Sequence, residues 1–228
     1  MLNFAEKVLS ARIGRTHLFS VGQAGYIIKS KNGQLLAIDL YLSNCVERLE
    51  GHKGFKRLLP QILSASDLQF DAIICTHPHL DHFDVDAIPE MLSNGTTKLF
   101  CSVNCSELVK QTMLDYHKKQ IYYVAPNDYV DCGDFHIKFM PCDHGKSAKD
   151  AVGVLVTVDD KIIYEVGDSC LRMDRVKDLP EGINVLIAPI NGLNGNMNGE
   201  ECSELAAALQ PKLTVPCHYG MFASHGGD

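Results

Sequence analysis

Short apolar runs alternate with polar, helix-compatible stretches along the chain. The first apolar run covers 18–30, gives way to Lys31-Asn32-Gly33-Gln34, and resumes over 35–41. Asn-Gly between two apolar runs predicts a hairpin, because both residues tolerate the positive φ of a tight antiparallel turn. Runs rich in β-branched and aromatic residues predict further strands at 71–76, 98–103, 120–126, 135–142, 152–158, 162–168, 184–190 and 212–218. Most are apolar throughout, as expected of strands covered on both faces. Helical spacing predicts helices over 85–95, 106–114 and 199–210, with a weaker one at 55–63. In the third, Asn198 caps the start with Glu201 three residues on, and Pro211 stops the helix. Strand pairs with helices between them occur twice, which predicts an α/β fold of two packed sheets with helices outside. No low-complexity tract or Pro-rich linker divides the chain, so a single domain over 1–228 is expected, with the first 17 residues carrying the weakest pattern.

Composition narrows the classes of partner. Hydrophobic residues make up 46% of the 228 residues, but no run approaches the roughly 18 apolar residues of a membrane span. The start, Met1-Leu2-Asn3-Phe4-Ala5-Glu6-Lys7, lacks a basic-then-apolar signal pattern. Nine cysteines without a CxxC pair favour reduced thiols. A cytoplasmic protein with no membrane partner is therefore expected. The net charge of −7 disfavours nucleic acid as a partner. It leaves room for a small anionic or polar substrate, since bound divalent cations reverse the local potential.

The chemistry concentrates in His77-Pro78-His79-Leu80-Asp81-His82, four potential ligands in six residues directly after the apolar run at 71–76. In an extended or tightly turned loop His77 and His79 can point the same way, while Asp81 and His82 reach toward a second position. Further candidates stand at the ends of later strands: His144 beside Asp143, Asp168 in Gly167-Asp168-Ser169, and His218. Ends of neighbouring strands converge at one sheet edge. His77, His79 and His144 can thus hold one cation and Asp81, His82 and His218 a second, with Asp168 between them. Two cations about 3.5–4 Å apart stabilise a hydroxide nucleophile at neutral pH and polarise the electrophile. Imidazole and carboxylate donors suit zinc or manganese, and admit iron.

The motif His77-x-His79-x-Asp81-His82, followed in order by His144, Asp168 and His218, resembles the metallo-β-lactamase superfamily over most of the chain. Gly22-Gln23-Ala24-Gly25, Ile38-Asp39, Gly167-Asp168-Ser169 and Pro216-Cys217-His218-Tyr219-Gly220-Met221-Phe222 look like its L-ascorbate-6-phosphate lactonase-like branch. The resemblance implies a four-layer αββα sandwich and a cytoplasmic metal-dependent hydrolase; the named lactonase opens a sugar-lactone phosphate with manganese. A homo-oligomer is compatible with the branch. Such proteins usually continue through a further strand and helix, whereas this chain stops ten residues after His218, so a shortened last sheet edge is expected.

The expected function is hydrolysis of a small polar ester or lactone, with Asp81 or a bound water managing the proton. A phosphodiesterase on the same cations is the nearest alternative. A non-catalytic metal-binding protein is another. A redox di-iron protein is the remaining class, although its relatives typically carry Glu where this chain has His79, with a flavin domain following.

Several residues keep two readings. Asp39 either orients a ligand histidine from behind or starts a turn. Asn191 and Asn194, in the amide-rich 191–198 segment ahead of a helix N-terminus, either cradle a substrate anion or belong to a long turn. Lys146 either faces that anion or is an exposed loop lysine. Cys75, Cys142, Cys170 and Cys217 either fill tight space beneath the ligand loops or make redox-sensitive metal contacts. His17, His52, His117, His136 and His225 read as ordinary surface or strand residues.

Overall fold

In the computed structural model, which describes residues 2–224, the apolar run over 18–30 is two strands, β1 (His17–Gly22) and β2 (Gly25–Lys29). Gly22 at φ 103° and Gln23 at φ 53° turn the chain back on itself between them. At Gly25 a Cβ would lie 3.1 Å from the Gly22 carbonyl and 3.2 Å from that of Asp39, so the turn and the next strand end pack backbone to backbone. β2 pairs antiparallel with β3 (Leu35–Ile38) across the predicted Asn32-Gly33 turn. Beyond β3, β4 (Ala72–Cys75), β5 (Lys98–Ser102) and β6 (Ile121–Val124) add in parallel, completing a six-stranded sheet in sequence order.

The second sheet follows the same plan. β7 (Tyr129–Cys132), β8 (Phe135–Pro141), β9 (Val152–Val158) and β10 (Lys161–Glu165) form an antiparallel meander, and β11 (Val185–Pro189) and β12 (Leu213–Cys217) extend it in parallel.

Residue parity sorts the apolar side chains into separate cores. Tyr26, Ile28, Leu36, Ile38 and Ile74 face Phe135, Ile137, Phe139, Val154 and Val156 between the sheets. Ile27, Leu35, Ala37 and Ile73 face the other way, against α1 (Phe4–Ser10), α3 (Ala87–Met91) and α4 (Ser106–Thr112). On the far side, Leu155, Tyr164, Leu186 and Ala188 pack under α5 (Gly199–Leu209). The layers therefore run helix, sheet, sheet, helix, and both parities of a central strand are apolar because both faces are covered. The α5 caps are those read from the sequence: Asn198 and Glu201 exchange hydrogen bonds, and Gln210 takes a left-handed conformation just before Pro211.

The structure corrects the elements predicted at the margins. No helix forms over 55–63. Its backbone is spent on a pairing with distant chain: Leu58 N donates to Met221 O, Ala223 N to Lys56 O, and Arg57 bridges Phe222. The helix in this region is instead α2 (Cys45–Glu50), which carries no side-chain cap and little apolar signal. β7 was not anticipated, because as an edge strand it exposes Tyr129 and Asp131 and offers few apolar positions. At the N-terminus, Asn3 and Glu6 form a reciprocal cap for α1. Its other end is closed by buried Lys29, whose Nζ donates to the carbonyls of Val8, Leu9 and Ala11 at 2.9, 2.7 and 3.0 Å. Among the described residues no helix is long and apolar enough to cross a membrane.

Candidate metal centre

Every candidate donor sits just past a strand end at one edge of the sandwich. His77 to His82 follow β4, His144 follows β8, Asp168 follows β10 and His218 follows β12. Asp168 is presented by Gly167, which takes φ 74° where a Cβ would lie 2.9 Å from the Val152 carbonyl. Two sets result. The donor atoms of His77, His79, His144 and Asp168 lie within 4.8 Å of one another, as do those of Asp81, His82 and His218.

Asp168 joins the two. Its Oδ2 is 3.0 Å from His218 Nε2, 3.5 Å from His144 Nε2 and 3.9 Å from His77 Nε2, while Oδ1 is 3.5 Å from His82 Nε2. Asp81 Oδ2 lies 3.6 Å from His82 Nε2 and 3.3 Å from His218 Nε2, within the second set alone. His82 and His218 approach at 3.1 Å, and His79 Nδ1 is 3.0 Å from His77 Nε2 and 3.1 Å from His144 Nε2. Five imidazole nitrogens and two carboxylates converging on so small a volume fit a pair of divalent cations, whose charge satisfies lone pairs that otherwise oppose one another.

Asp39 supports this arrangement from behind. Fully buried at the end of β3, it accepts from Thr76 N at 2.8 Å, from Thr76 Oγ1 at 2.6 Å and from His82 Nδ1 at 2.7 Å. Because the Thr76 hydroxyl donates to Asp39, it is left to accept from His77 Nδ1 at 3.0 Å. One buried carboxylate thus fixes the tautomers of His82 directly and of His77 through Thr76, turning both Nε2 lone pairs toward the centre.

Three residues at the centre went unassigned by sequence reasoning. Thr76 is one. Gln23 is the second: its Nε2 donates to Asp81 Oδ2 at 2.8 Å and lies 3.2 Å from His218 Nε2, and its only sequence signal was its place in the Gly22-Gln23-Ala24-Gly25 turn. The third is Glu165, 1% exposed at the end of β10, where it accepts from Gly167 N at 2.8 Å. Burial, reinforced by the Asp39 carboxylate, pushes its carboxyl well above the usual range.

The remaining candidates separate. Lys146 and Asn194 line the cleft above the donors. Asn191 is buried at the base of its loop, in a bridge with Asn198, and does not line the cleft. All nine cysteines are free; Cys75 and Cys217 are buried in the cores, and the Cys142 thiol donates to the Asp168 carbonyl at 2.8 Å. Burial raises the thiols of Cys75, Cys142, Cys170 and Cys217, which keeps them protonated. Of the other histidines, His136 pairs with Asp131 on the surface, whereas His117 is buried in a 3-10 turn; His225 lies outside the described residues.

The two sets differ in proton affinity. Burial lowers His77, His79 and His144, the last to about 4, so these rings are neutral. Burial also opposes charge on His82 and His218, but Asp168 and Asp81 outweigh it, with Asp39 adding to His82, and His218 is raised to about 9. Without a cation both rings therefore hold a second proton, and a cation must displace it from His82 as well as, below about pH 9, from His218. Metal affinity is expected to climb from pH 6 to 8 and to fall again on acidification. The heat of metal binding is expected to vary with the ionisation enthalpy of the buffer; a buffer-independent heat would contradict this proton count.

A protein of Enterococcus faecalis named UPF0173 metal-dependent hydrolase is 28% identical over 170 residues, spanning 70% of this chain and 72% of its own. Igni18, a metallo hydrolase from the archaeon Ignicoccus hospitalis, superposes with a TM-score of 0.68 at 22% identity, covering 93% of this chain and 86% of its own. A diphosphatase from the PhnP family superposes with a TM-score of 0.56 at 15% identity, covering 85% and 71%. The family profile described as Beta-lactamase superfamily domain matches residues 41–219, from the end of β3 through the turn after β12, and so takes in all seven donors. The chain belongs to the beta-lactamase superfamily.

Proposed function

We propose that this protein is a metal-dependent hydrolase acting on a small ester or lactone that carries an anionic group. The observation that carries this reading is the convergence of seven donors, in two sets joined by Asp168, of which His79, Asp81, His144, Asp168 and His218 line an open cleft and His77 and His82 lie buried behind them. His77, His79 and His144 would hold one divalent cation, Asp81, His82 and His218 the other, with Asp168 serving both. Bound there, the cations bring the pKa of water toward neutrality and stabilise charge developing on the carbonyl oxygen. Asp81, which lines the cleft with its side chain 14% exposed, would manage the proton, and Gln23 Nε2 fixes its carboxylate by donating to Oδ2 at 2.8 Å. Lys146 and Asn194 orient the substrate's anionic group. Two divalent charges against two carboxylates leave the centre positive, which draws an anion into a protein of net charge −7. The donor set favours zinc or manganese and admits iron. The motifs around Gln23 and His218 support a lactonase-like specificity, and the relative named a metal-dependent hydrolase supports the class.

A phosphodiesterase is the second reading, favoured by the diphosphatase among the structural neighbours. The two separate in one assay: protein loaded with manganese or zinc, its metal content measured, against a panel of sugar lactones, simple esters and small or cyclic phosphodiesters. Turnover of lactones or esters is expected. Turnover of phosphodiesters alone would replace the first reading with the second. Silence across the whole panel with two metals bound would end both.

A further inference from the structure

The lining of the cleft divides by origin. From the loops and helices of the first sheet come Val46, Phe55, Leu80 and Leu108, and Phe222 joins them from beyond β12. Four of these form one continuous apolar surface: Val46 and Phe222 share a buried cluster with Tyr41, Phe55 and Leu80 pack on it, and the Phe55 and Phe222 rings meet edge-on at 5.9 Å. The loops of the second sheet contribute polar groups instead, Lys146 after β8 and Asn194 after β11. Besides the candidate donors Asp81 and Asp168, the lining carries the acid Glu50, which is tied to Lys53 at 2.9 Å.

A polyhydroxylated sugar phosphate makes no use of such a surface. It would leave the half-buried Phe55, Leu80 and Leu108, backed by buried Val46 and Phe222, wet in a cleft of about 780 Å³, a volume in the range that takes ligands of drug size. We infer that the substrate is an amphiphile: an ester or lactone whose acyl or aryl substituent, several carbons long, lies against Phe55, Leu80 and Leu108, with Val46 and Phe222 behind them, and whose polar end lies toward Lys146 and Asn194. The bond broken rests on the hydrolase reading, whereas the apolar wall does not. In the reaction, water oxygen bonds to the carbonyl carbon, the carbon–oxygen bond to the alcohol portion breaks, and the departing oxygen takes a proton, giving one carboxylic acid and one hydroxyl group.

The test pairs equilibrium binding with turnover. Calorimetry on the metal-loaded protein would follow straight-chain carboxylates from butanoate to decanoate as product mimics, and turnover would follow lactones whose alkyl substituent grows over the same range. Affinity is expected to rise about 4-fold per methylene, the equivalent of ~0.8 kcal/mol per buried CH₂, until the wall is covered. Leu108→Ser, on the partly buried face of α4, is expected to flatten that rise while metal content stays unchanged; should it fail to fold, Phe55→Ser in its loop serves the same purpose. The chain-length series on the unaltered protein decides the matter without either variant. Affinity and turnover indifferent to chain length, or preferential turnover of sugar-lactone phosphates, would overturn the inference. Length-dependent binding with no turnover of any ester or lactone would uphold the wall and overturn the hydrolase reading.

Discussion

Asp168→Ala is expected to bind fewer than two metals per molecule and to lose at least about 10³-fold in turnover, the scale of several kcal/mol of lost charge stabilisation. The reason is positional. Among the described residues Asp168 is the one carboxylate that comes within ion-pair distance of both sets of donors, approaching His218 and His144 through Oδ2 at 3.0 and 3.5 Å and His82 through Oδ1 at 3.5 Å. Asp81 touches only the second set, so Asp81→Ala is expected to spare the first cation while Asp168→Ala weakens both. Metal content by mass spectrometry, read beside turnover on a simple ester, separates the two variants. The comparison also guards against misfolding, since the Asp168 side chain is not part of any apolar cluster and its backbone carbonyl would still accept from the Cys142 thiol. Two metals retained in Asp168→Ala would dismantle the proposed centre.

Much of this centre was legible because its donors follow strands that announce themselves. His77 to His82 come straight after an apolar run, and Asp168 and His218 also follow such runs, so a reader who expects strand ends to converge can group them without coordinates. The supporting residues were harder to see. Asp39 lies 37 positions before Thr76 and Gln23 lies 58 before Asp81, and neither pairing has meaning until β1 to β4 stand side by side. Glu165 reads as one polar residue at the end of a strand, and only burial between the sheets makes it a neutral acid. The failed helix over 55–63 has the same cause: its partner, 221–223, is more than 160 residues away, and local spacing carries no trace of it. Local caps such as those of α5 and the convergence of donor-bearing strand ends were readable, whereas the partners of Gln23 and of 55–63, which carry no ligand signal of their own, were not.

Asp39→Asn tests the contact for which the sequence left two readings, a histidine-orienting carboxylate or a turn residue. Asp39 sits at φ 47°, a conformation that Asn tolerates better than most residues, so the substitution removes charge without forcing the backbone. Three donors converge on the carboxylate: Thr76 N, Thr76 Oγ1 and His82 Nδ1. An amide has one oxygen for all of them and places its NH₂ against at least one, so a hydrogen bond is lost and the negative charge behind His82 disappears. The His82 ring then has less reason to keep its proton on Nδ1, and a proton on Nε2 occupies the lone pair that faces the centre. Metal affinity is expected to fall about 10- to 100-fold, the usual loss when the group behind a metal-bound histidine is removed. The loss should be largest for the set containing His82, because Asp39 reaches His77 only through the Thr76 hydroxyl. A chelator competition titration that resolves the two binding steps reads this directly. Equal affinity for both cations before and after the substitution would show that Asp39 holds the fold and not the centre.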